Sequence, residues 1–478
     1  MNIALWLQRI AATRGATPAL MRGDAHVADY ASFADQAARL AGGLAARGIA
    51  PGDRVGIFAK NCPDYLVALF GIWWAGAVAV PVNAKLHPKE AEFILTNSGA
   101  TLCFTSEGLE APNATPFGSV TADPIAPVPR EATDLAWLFY TSGTTGRPKG
   151  VQITHGMIAA TSACYPIDVD PVSPDDAALY AAPMSHGAGL YAAIHVRMGA
   201  RHIAPASGGF DPGEVLDLSK AHGPTSMFMA PTMVRRLLDV AKARGETGQG
   251  IKTIVYGGGP MYRADIEEAV ARMGPKFVQI YGQGECPMAI TALSRADVSD
   301  RTHPNWQHRL QSVGRAQSLV EVKVDAPEGE IGEIMVKGAP VMPGYWQNPE
   351  ATAKTLKDGW LMTGDVGTLN ADGYLTLQDR SKDVIISGGT NIYPREVEEA
   401  LLTHPSVHEV SVVGRPSAEW GEEVVAFVVC DTLDEAALDA HCLAQIARFK
   451  RPKAYIAVPE LPKNNYGKVL KTELRKLV

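Results

Sequence analysis

Hydrophobic positions change their spacing repeatedly along residues 25–379. Residues 28–48, ADYASFADQAARLAGGLAARG, have the spacing of an amphipathic helix that ends at a glycine. Short apolar runs at 100–106, 251–259 and 275–285 have the character of strands that run directly into turns. Helices that alternate with such strands predict an α/β fold of stacked layers with largely parallel sheets.

Two stretches near the start of the chain have alternative interpretations. Residues 65–82, YLVALFGIWWAGAVAVPV, are apolar enough for a membrane span, but Gly71, Gly76 and Pro81 interrupt them. Residues 1–23 contain three arginines and no acidic residue, as transit peptides do. We expect a buried helix–turn–strand unit in the first case and an amphipathic first helix in the second. The protein is therefore expected to make no stable membrane insertion.

The pattern changes towards the end of the chain. Residues 320–338 and 373–380 alternate like hairpin strands, which predicts a β-rich subdomain that closes the large domain. Residues 384–415 then predict a strand, a glycine turn, a helix that starts at Pro394 and another strand. We predict a large N-terminal domain, a short hinge and a small mobile α+β lid domain, with the bounds 1–379, 380–382 and 383–478.

Composition limits the classes of partner. A chain of 478 residues is too long for one hydrophobic core. The net charge of -7 argues against a nucleic-acid partner, because such proteins usually carry a basic face. The six cysteines form no CxxC pair, so we interpret them as free thiols in a reducing, cytoplasmic compartment. A homodimer is left open.

The stretch YTSGTTGRPKG, residues 140–150, concentrates hydroxyl side chains and glycines after the apolar run LAWLFY. Exposed backbone N–H groups, hydroxyls and Lys149 suit phosphate oxygens. The stretch is not the P-loop of NTPases, because Gly150 follows the lysine where Ser or Thr would be needed. A solvent-exposed turn without a ligand is the alternative.

Four further stretches carry candidate chemistry. They are YGQGE (281–285), WLMTGDVG (360–367), DRSKD (379–383) and PKNNYGKVLKTELR (462–475). The first follows a predicted strand, where α/β sheets bind ligands. Each stretch also has a simpler interpretation, since Glu285 or Asp365 can cap a turn and Lys468 can be a solvated lysine.

Together, and in this order, the motifs resemble those of the adenylate-forming superfamily, which includes acyl- and aryl-CoA synthetases such as 4-chlorobenzoate–CoA ligase. The resemblance implies a two-step reaction. A carboxylate first attacks the α-phosphate of ATP to give an acyl-adenylate and pyrophosphate, and a thiol then displaces AMP. Two anions must meet in the first step, which requires cations and fixed dipoles at the reacting centre.

The resemblance also implies roles for individual residues of the nucleotide site. Lys468 is expected to neutralise charge between the carboxylate and the α-phosphate, and Thr141 with Glu285 to hold Mg²⁺. Tyr281 is expected to stack on adenine, Asp365 to bind the ribose, and Arg380 to bind ribose and phosphate. The remaining expected ATP-binding residues are Ser142, Gly143, Thr144, Thr145, Gly146, Lys149, Gly258, Gly259, Pro260, Gly282 and Gln283.

One position departs from the pattern of many relatives, which have a threonine directly before the glutamate. Here that residue is Gly284, so one hydroxyl donor to the α-phosphate is lost. The alternatives are that Gln283 or a backbone N–H replaces it, or that the first step is slower.

For the second step, the resemblance implies that the small domain rotates about Lys382 and brings Gly388 and Gly389 to the active site. Trp420 and Phe449 match an aromatic pair that holds the adenine of coenzyme A, and Arg451 and Lys453 match basic residues near its phosphates. A nucleotide base and its phosphates favour such partners. The alternative is that these side chains only pack or are surface charges.

The acid is expected to lie among small residues and methionine, with no evident cationic anchor. Such a pocket suits an apolar body, so an aromatic or a medium-chain fatty acid fits better than a dicarboxylate. His186 matches a histidine beside the acyl group in relatives, although it can also be a core histidine. The expected acyl pocket comprises His186, Gly187, Ala188, Gly257, Gly258, Tyr281, Gly282 and Met288.

The sequence therefore predicts an AMP-forming acid–thiol ligase that uses ATP, Mg²⁺ and coenzyme A with a small carboxylic acid. Two alternatives remain. One is a stand-alone adenylation enzyme that loads a phosphopantetheinyl carrier protein, and the other is a non-catalytic nucleotide-binding relative.

Overall fold

The computed structural model describes residues 1–141, 148–380, 383–417, 419–464 and 469–478. The strands are β1 (Pro18–Arg22), β2 (Ala25–Asp29), β3 (Arg54–Ala59), β4 (Val78–Asn83), β5 (Leu102–Thr105), β6 (Ala114–Pro116), β7 (Leu135–Thr141), β8 (Lys149–Thr154), β9 (Ala177–Leu179), β10 (Arg201–Ala204), β11 (Thr225–Met229), β12 (Ile251–Tyr256), β13 (Phe277–Gln283), β14 (Cys286–Leu293), β15 (Arg315–Ala316), β16 (Val320–Val324), β17 (Gly332–Gly338), β18 (Leu356–Lys357), β19 (Trp360–Leu369), β20 (Leu375–Arg380), β21 (Ile385–Ser387), β22 (Thr390–Ile392), β23 (Val407–Ser417), β24 (Gly421–Cys430) and β25 (Ala454–Ala457).

The α-helices are α1 (Ala4–Arg14), α2 (Tyr30–Ala46), α3 (Pro63–Trp74), α4 (Pro88–Ser98), α5 (His155–Cys164), α6 (Gly187–Leu190), α7 (Ala192–Met198), α8 (Pro212–His222), α9 (Pro231–Arg244), α10 (Arg263–Met273), α11 (Arg295–Ser299), α12 (Trp306–Gln311), α13 (Pro349–Thr355), α14 (Pro394–Leu402), α15 (Glu435–Gln445) and α16 (Lys471–Leu474).

Two large sheets form the body of the N-terminal domain. One has the order β15-β14-β13-β12-β11-β9-β10-β1-β2, and the six strands from β13 to β1 run parallel. The other has the order β6-β5-β3-β4-β7-β8, in which only the last pair is antiparallel. Parallel strands with helix crossovers are what the alternating pattern predicts.

Helix α3 joins the two sheets, because it contacts β3 and β4 of one and β1 and β10 of the other. Its sequence, PDYLVALFGIWW, is apolar on every face, and all of its residues except Asp64 are buried. Gly71 lets α2 approach closely, since a Cβ atom there would lie 2.6 Å from Cδ2 of Leu40. The apolar segment 65–82 is thus the predicted helix and strand, α3 and β4.

The β-rich subdomain consists of β16-β17-β19-β18 with β20 paired to β19, and every pair is antiparallel. The C-terminal domain has the order β22-β21-β24-β23 with β25 parallel to β24, and α14 and α15 pack together on it. Its separate core of valine and isoleucine side chains agrees with the predicted α+β fold. The residue bounds of the domains and hinge stay a prediction.

Two other expectations concern the whole chain. All six cysteines are free thiols, as predicted. Across the described ranges, none of the helices combines the length and the apolarity that a membrane crossing requires.

Candidate active site

The ends of the parallel strands β12 and β13 lie side by side, because Tyr256 pairs with Gln279. The segment that follows β12 runs against the next strand so closely that a Cβ atom at Gly257 would lie 2.5 Å from the carbonyl oxygen of Ile280. Gly258 has φ +80°, a conformation that favours glycine. The residues predicted to bind adenine, Tyr281 and 258–260, are therefore brought together.

The carboxylate of Asp365 is buried at the same edge, with 8% of the residue exposed. Its Oδ2 accepts hydrogen bonds from Tyr281 Oη at 2.7 Å and from Gln283 Nε2 at 2.6 Å. The amide of Gln283 also donates to the carbonyl of Thr363 at 3.0 Å. Asp365 pairs with Arg380 between β19 and β20, which brings the backbones of these two predicted ligands into register.

The carboxylate of Glu285 is held by a tyrosine that the motifs did not predict. Tyr345 Oη donates to Glu285 Oε1 at 2.5 Å, and the Met342 N–H donates to the Glu285 carbonyl at 2.8 Å. Tyr345 forms a bridge with Val151 of β8, and Lys149 Nζ at the start of that strand lies 5.1 Å from its ring centroid. Tyr345 thus links the predicted metal-binding carboxylate to the lysine of the phosphate stretch.

Thr141, at the end of β7, adjoins the YGQGE turn. A Cβ atom at Gly284 would lie 2.7 Å from Thr141 Cγ2 and 2.9 Å from Phe139 Cδ1. Thr141 and Phe139 share one face of β7, because alternate residues of a strand point the same way. The predicted metal-site pair, Thr141 and Glu285, is therefore brought together around residue 284.

His186 lies beside this turn. Its ring makes an edge-to-face contact with Phe139 at 4.9 Å between centroids and 80° between planes, and its Nδ1 is 3.0 Å from Ser185 Oγ. Burial lowers the pKa of His186 to about 3, so the ring is neutral at physiological pH.

Three further predicted acyl-pocket residues adjoin His186. Gly187 packs against Met288, because a Cβ atom there would overlap the thioether sulfur. Met288 has φ +62°, a conformation that few non-glycine residues adopt, and it leaves the residue buried. Ala188 is also buried, so this part of the predicted pocket is apolar.

The predicted coenzyme A residues lie on the C-terminal domain. Trp420 and Phe449 are 44% and 49% exposed, which is unusual for large apolar side chains. The N–H of Gly388 donates to the Trp420 carbonyl at 2.8 Å, and Gly388 and Gly389 both have positive φ angles.

The two predicted basic residues of this domain, Arg451 and Lys453, have different surroundings. Arg451 donates to Asp439 Oδ1 at 2.6 Å and is therefore engaged within the domain. Lys453 is exposed, and its N–H donates to the Val424 carbonyl. A third cation nearby, Lys450, pairs with Glu396 and lies 5.7 Å from the centroid of the Phe449 ring.

Contacts also join the two domains. Tyr262, just after the adenine stretch, donates to Glu398 Oε2 of α14 at 3.3 Å. Glu398 Oε1 accepts from the Val412 N–H at 2.9 Å and pairs with Lys471 Nζ at 3.0 Å. Burial alone would lower the pKa of Lys471, but the carboxylates of Glu398 and Asp379 outweigh it and raise the pKa.

Several predicted residues lie outside the part of the chain that the structure describes. They are Ser142, Gly143, Thr144, Thr145, Gly146, Lys382 and Lys468. The side chain of Arg380 also lies outside the described part.

The donor set at the site fits a hard cation shared with phosphates. Thr141 and Glu285 offer oxygen atoms, which Mg²⁺ prefers, and one carboxylate oxygen is already oriented by Tyr345. Within the described ranges no cluster of three or more His, Cys, Asp and Glu side chains is arranged to hold a metal ion by itself.

Comparison with known proteins now defines the class. Residues 7–346 match the AMP-binding enzyme family, and residues 396–468 match the AMP-binding enzyme C-terminal domain. The chain therefore belongs to the AMP-binding enzyme family, in the adenylate-forming superfamily that the motifs resemble.

Among curated relatives, a feruloyl-CoA synthase of Amycolatopsis sp is 38% identical over 94% of this chain and 93% of its own length. The fatty acid–[acyl-carrier-protein] ligase ScoC of Streptomyces coeruleorubidus is 34% identical over 96% of this chain and 93% of its own.

Among solved structures, the o-succinylbenzoate CoA synthetase MenE of Bacillus subtilis, in complex with its acyl-adenylate intermediate, has a TM-score of 0.88. The two sequences are 30% identical, and the match covers 98% of this chain and 97% of the MenE chain. The predictions of superfamily, fold class and enzyme class are confirmed: this is an AMP-forming acyl- or aryl-CoA ligase.

Two side chains at the site were not predicted from the sequence, Tyr345 and Phe139. Tyr345 comes to Glu285 from 60 residues away through the loop that pairs with β8, and no spacing signals that contact. The signal for Phe139 was the unusual glycine at 284, whose missing side chain indicates that something else fills the space.

Proposed function

We propose that this chain activates an aromatic carboxylic acid with ATP and transfers the acyl group to coenzyme A in the cytoplasm. The observation that supports the proposal is that the turn carrying Glu285 adjoins Thr141 at the end of β7, while Gln283 and Tyr281 before that turn donate to Asp365 of β19. The likeness to a feruloyl-CoA synthase supports an aromatic rather than a fatty acid.

In the proposed first step, a carboxylate oxygen of the acid forms a bond to the α-phosphorus while the bond from that phosphorus to the bridging oxygen breaks. Pyrophosphate leaves. Lys149, the 142–146 stretch and Lys468 would offset the charge of the phosphates and the carboxylate. Thr141 and Glu285 would hold Mg²⁺, which when bound supplies positive charge to the phosphate oxygens.

Asp365 would accept hydrogen bonds from the ribose hydroxyls, with Arg380 beside it. Tyr281 and the segment 258–260 would enclose the adenine, with the Tyr281 hydroxyl donating to Asp365. Because Gln283 also donates to Asp365, the carboxylate is oriented from two sides before a nucleotide arrives.

In the proposed second step, the thiol sulfur of coenzyme A bonds to the acyl carbon, the bond from that carbon to the phosphate oxygen breaks, and AMP leaves. The thiol proton passes to solvent. The exposed side chains of Trp420, Phe449 and Lys453 would receive the nucleotide part of coenzyme A. Gly388 and Gly389 would leave room for the pantetheine arm after rotation about Lys382.

A panel of acids tests the proposal. Purified protein is incubated with ATP, Mg²⁺, coenzyme A and single acids, from benzoic and arylpropenoic acids to medium-chain fatty acids, and AMP is quantified. We expect AMP and thioester with aromatic acids and less with fatty acids. Absence of AMP with every acid would overturn the proposed activity.

A second acceptor is supported by one specific observation, the 34% identity to a ligase whose acceptor is an acyl carrier protein. If this chain has the same acceptor, a phosphopantetheinylated carrier protein will be acylated and free coenzyme A will not. The two acceptors can be compared in the same assay by mass spectrometry of the thioester.

A further inference from the structure

Gly284, in the turn beside Glu285, has no side chain that could contact the α-phosphate. A threonine hydroxyl is missing there, and Gln283 does not replace it, because its amide group is committed to Asp365 and to the Thr363 carbonyl. The space beside Gly284 is nevertheless filled.

The groups that fill it are the Cγ2 methyl of Thr141 and the ring of Phe139. A Cβ atom at Gly284 would lie 2.9 Å from Cδ1 and 3.0 Å from Cε1 of that ring, in addition to its contact with Thr141. Cβ atoms essentially never approach another heavy atom so closely, and a phenylalanine ring held in a strand has few ways to yield. Gly284 and Phe139 are therefore sterically interdependent.

The same ring contacts His186 edge to face at 4.9 Å. Phe139, His186 and Gly284 are each partly exposed, whereas the flanking residues Tyr140 and Ser185 are buried. The Phe139 ring therefore contacts both a residue of the predicted acyl pocket, His186, and the residue next to the predicted metal ligand Glu285. In the proposed function, the carboxyl end of the acid would lie between these two regions.

We propose that Phe139 and Gly284 form a coupled specificity-determining pair that makes this site select planar aromatic acids. The Phe139 ring occupies the volume of the missing side chain and forms with His186 an aromatic wall beside the carboxyl end of the acid. The inference rests on the proposed function and names the substrate class of that site.

The preference follows from the electrostatics of aromatic rings. A flat acyl group beside Phe139 and His186 gains edge-to-face or offset contacts that a flexible alkyl chain does not make. Because the His186 ring is neutral, it acts as an aromatic surface and not as a counter-ion that would hold any carboxylate equally well.

The first test changes the ring and retains an apolar side chain. Phe139→Leu is assayed for AMP formation with an arylpropenoic acid and with octanoic acid. We expect kcat/KM for the aromatic acid to fall about twofold to tenfold and that for octanoic acid to change less than about twofold. Both kcat/KM values are measured on one preparation. A fraction of unfolded protein therefore lowers both equally and leaves their ratio unchanged.

Phe117→Leu is the matched control. Phe117 is also half-buried and stacks on Phe104 with centroids 5.7 Å apart, but it is not at the site. Its substitution should leave the ratio unchanged. An unchanged ratio in Phe139→Leu would overturn the inference.

The second test measures the coupling. Gly284→Ala is introduced into the wild type and into Phe139→Ala. Alone it should lower the adenylation rate about tenfold or more, because the turn beside Glu285 must shift. In Phe139→Ala the loss should be at least about threefold smaller, because the two ring contacts are gone and only the contact with Thr141 Cγ2 remains. Equal losses in both backgrounds would overturn the inference. Gly209→Ala, with open space around the new Cβ, is the control.

The outcomes separate the two proposals. A wild-type protein that forms AMP with no acid contradicts the proposed function. A wild-type protein that is active with both acids, but whose selectivity does not respond to Phe139, contradicts this inference alone.

Discussion

The hydroxyl of Tyr345 lies 2.5 Å from Oε1 of Glu285, and the ring of the same tyrosine lies 5.1 Å from Nζ of Lys149. One side chain therefore touches the carboxylate expected to hold the metal and the cation expected to hold phosphate. Burial, followed by the nearby Glu285 carboxylate, raises the pKa of Tyr345, so the hydroxyl remains a donor at any working pH.

Tyr345→Phe should slow adenylation by about tenfold and raise the half-saturating Mg²⁺ concentration. The ring stays in place above Lys149, but Glu285 loses a hydrogen bond that orients it, and a bond to a charged group contributes about 1.5–3 kcal/mol. Pyrophosphate exchange at a series of Mg²⁺ concentrations measures both effects.

Tyr140→Phe is the control for that change, since Tyr140 is on β7 beside the site but donates to Asn97 at 2.7 Å. Its Mg²⁺ dependence should equal that of the wild type. The positioning role of Tyr345 would be contradicted if both variants responded alike.

The hydroxyl of Tyr262 connects the domains through Glu398, so Tyr262→Phe should favour one half-reaction over the other. We expect adenylation to fall about threefold to tenfold, on the scale of one lost hydrogen bond, with thioester formation from a supplied acyl-adenylate unchanged. The two half-reactions are measured separately by pyrophosphate exchange and by AMP release.

Tyr374→Phe provides a comparison, because its hydroxyl donates to Asp297 at 2.9 Å within the N-terminal domain. It should leave the ratio of the half-reactions unchanged. If Tyr262→Phe slowed both half-reactions equally, the hydrogen bond from Tyr262 to Glu398 would not selectively stabilise the present arrangement of the domains.

Most of the fold was predictable because local chemistry and packing agree. The interrupted apolar segment became α3 and β4, residues 320–338 formed a hairpin, and α14 began at Pro394. The boundary of the first long helix was less predictable. Residues 25–29 are a strand, and α2 begins only after Asp29, whose carboxylate caps it by accepting from the Ser32 N–H.

The site was predictable only as far as its glycines, hydroxyls and charges form local motifs. Some motif residues meet because parallel strands end at one edge of a sheet, as for the ends of β12 and β13. Asp365 reaches Tyr281 from β19 of the antiparallel subdomain. The close approach of Phe139 to position 284 joins β7 of one sheet to the turn after β13 of the other, and Arg451 is paired with Asp439. Contacts of this kind, between side chains far apart in the sequence, produce no periodic pattern from which they could be predicted.

His186 should not supply a titrating group to catalysis. Its pKa of about 3 lies far below the model-peptide value of about 6.5, so the folded protein keeps it neutral while the unfolded chain takes up a proton first. The free energy of unfolding therefore has its full contribution from the neutral ring above about pH 6.5. That contribution decreases as the pH falls towards 3, by at most about 1.4 kcal/mol per pH unit.

His186→Phe consequently should lower kcat/KM without moving the pH profile between pH 6 and 9, and its melting temperature should fall less than that of the wild type on acidification from pH 6.5 to 4.5. Loss of a limb of the rate profile near pH 6.5 would show that the ring titrates during turnover. His155→Phe, at a buried histidine whose pKa is lowered to about 4, gives the reference for stability alone.

Lys468→Ala should separate the two steps most completely. Removal of a cation that offsets charge between the carboxylate and the α-phosphate is expected to slow adenylation by about a hundredfold or more. Thioester formation from a supplied acyl-adenylate should be nearly unchanged, because the lysine is expected to leave the site with the rotating domain. Lys463→Ala is the matched control, as this lysine of the same segment pairs with Glu409. Equal loss of both steps in Lys468→Ala, measured by pyrophosphate exchange and by AMP release, would refute the division of labour between the two arrangements of the domains.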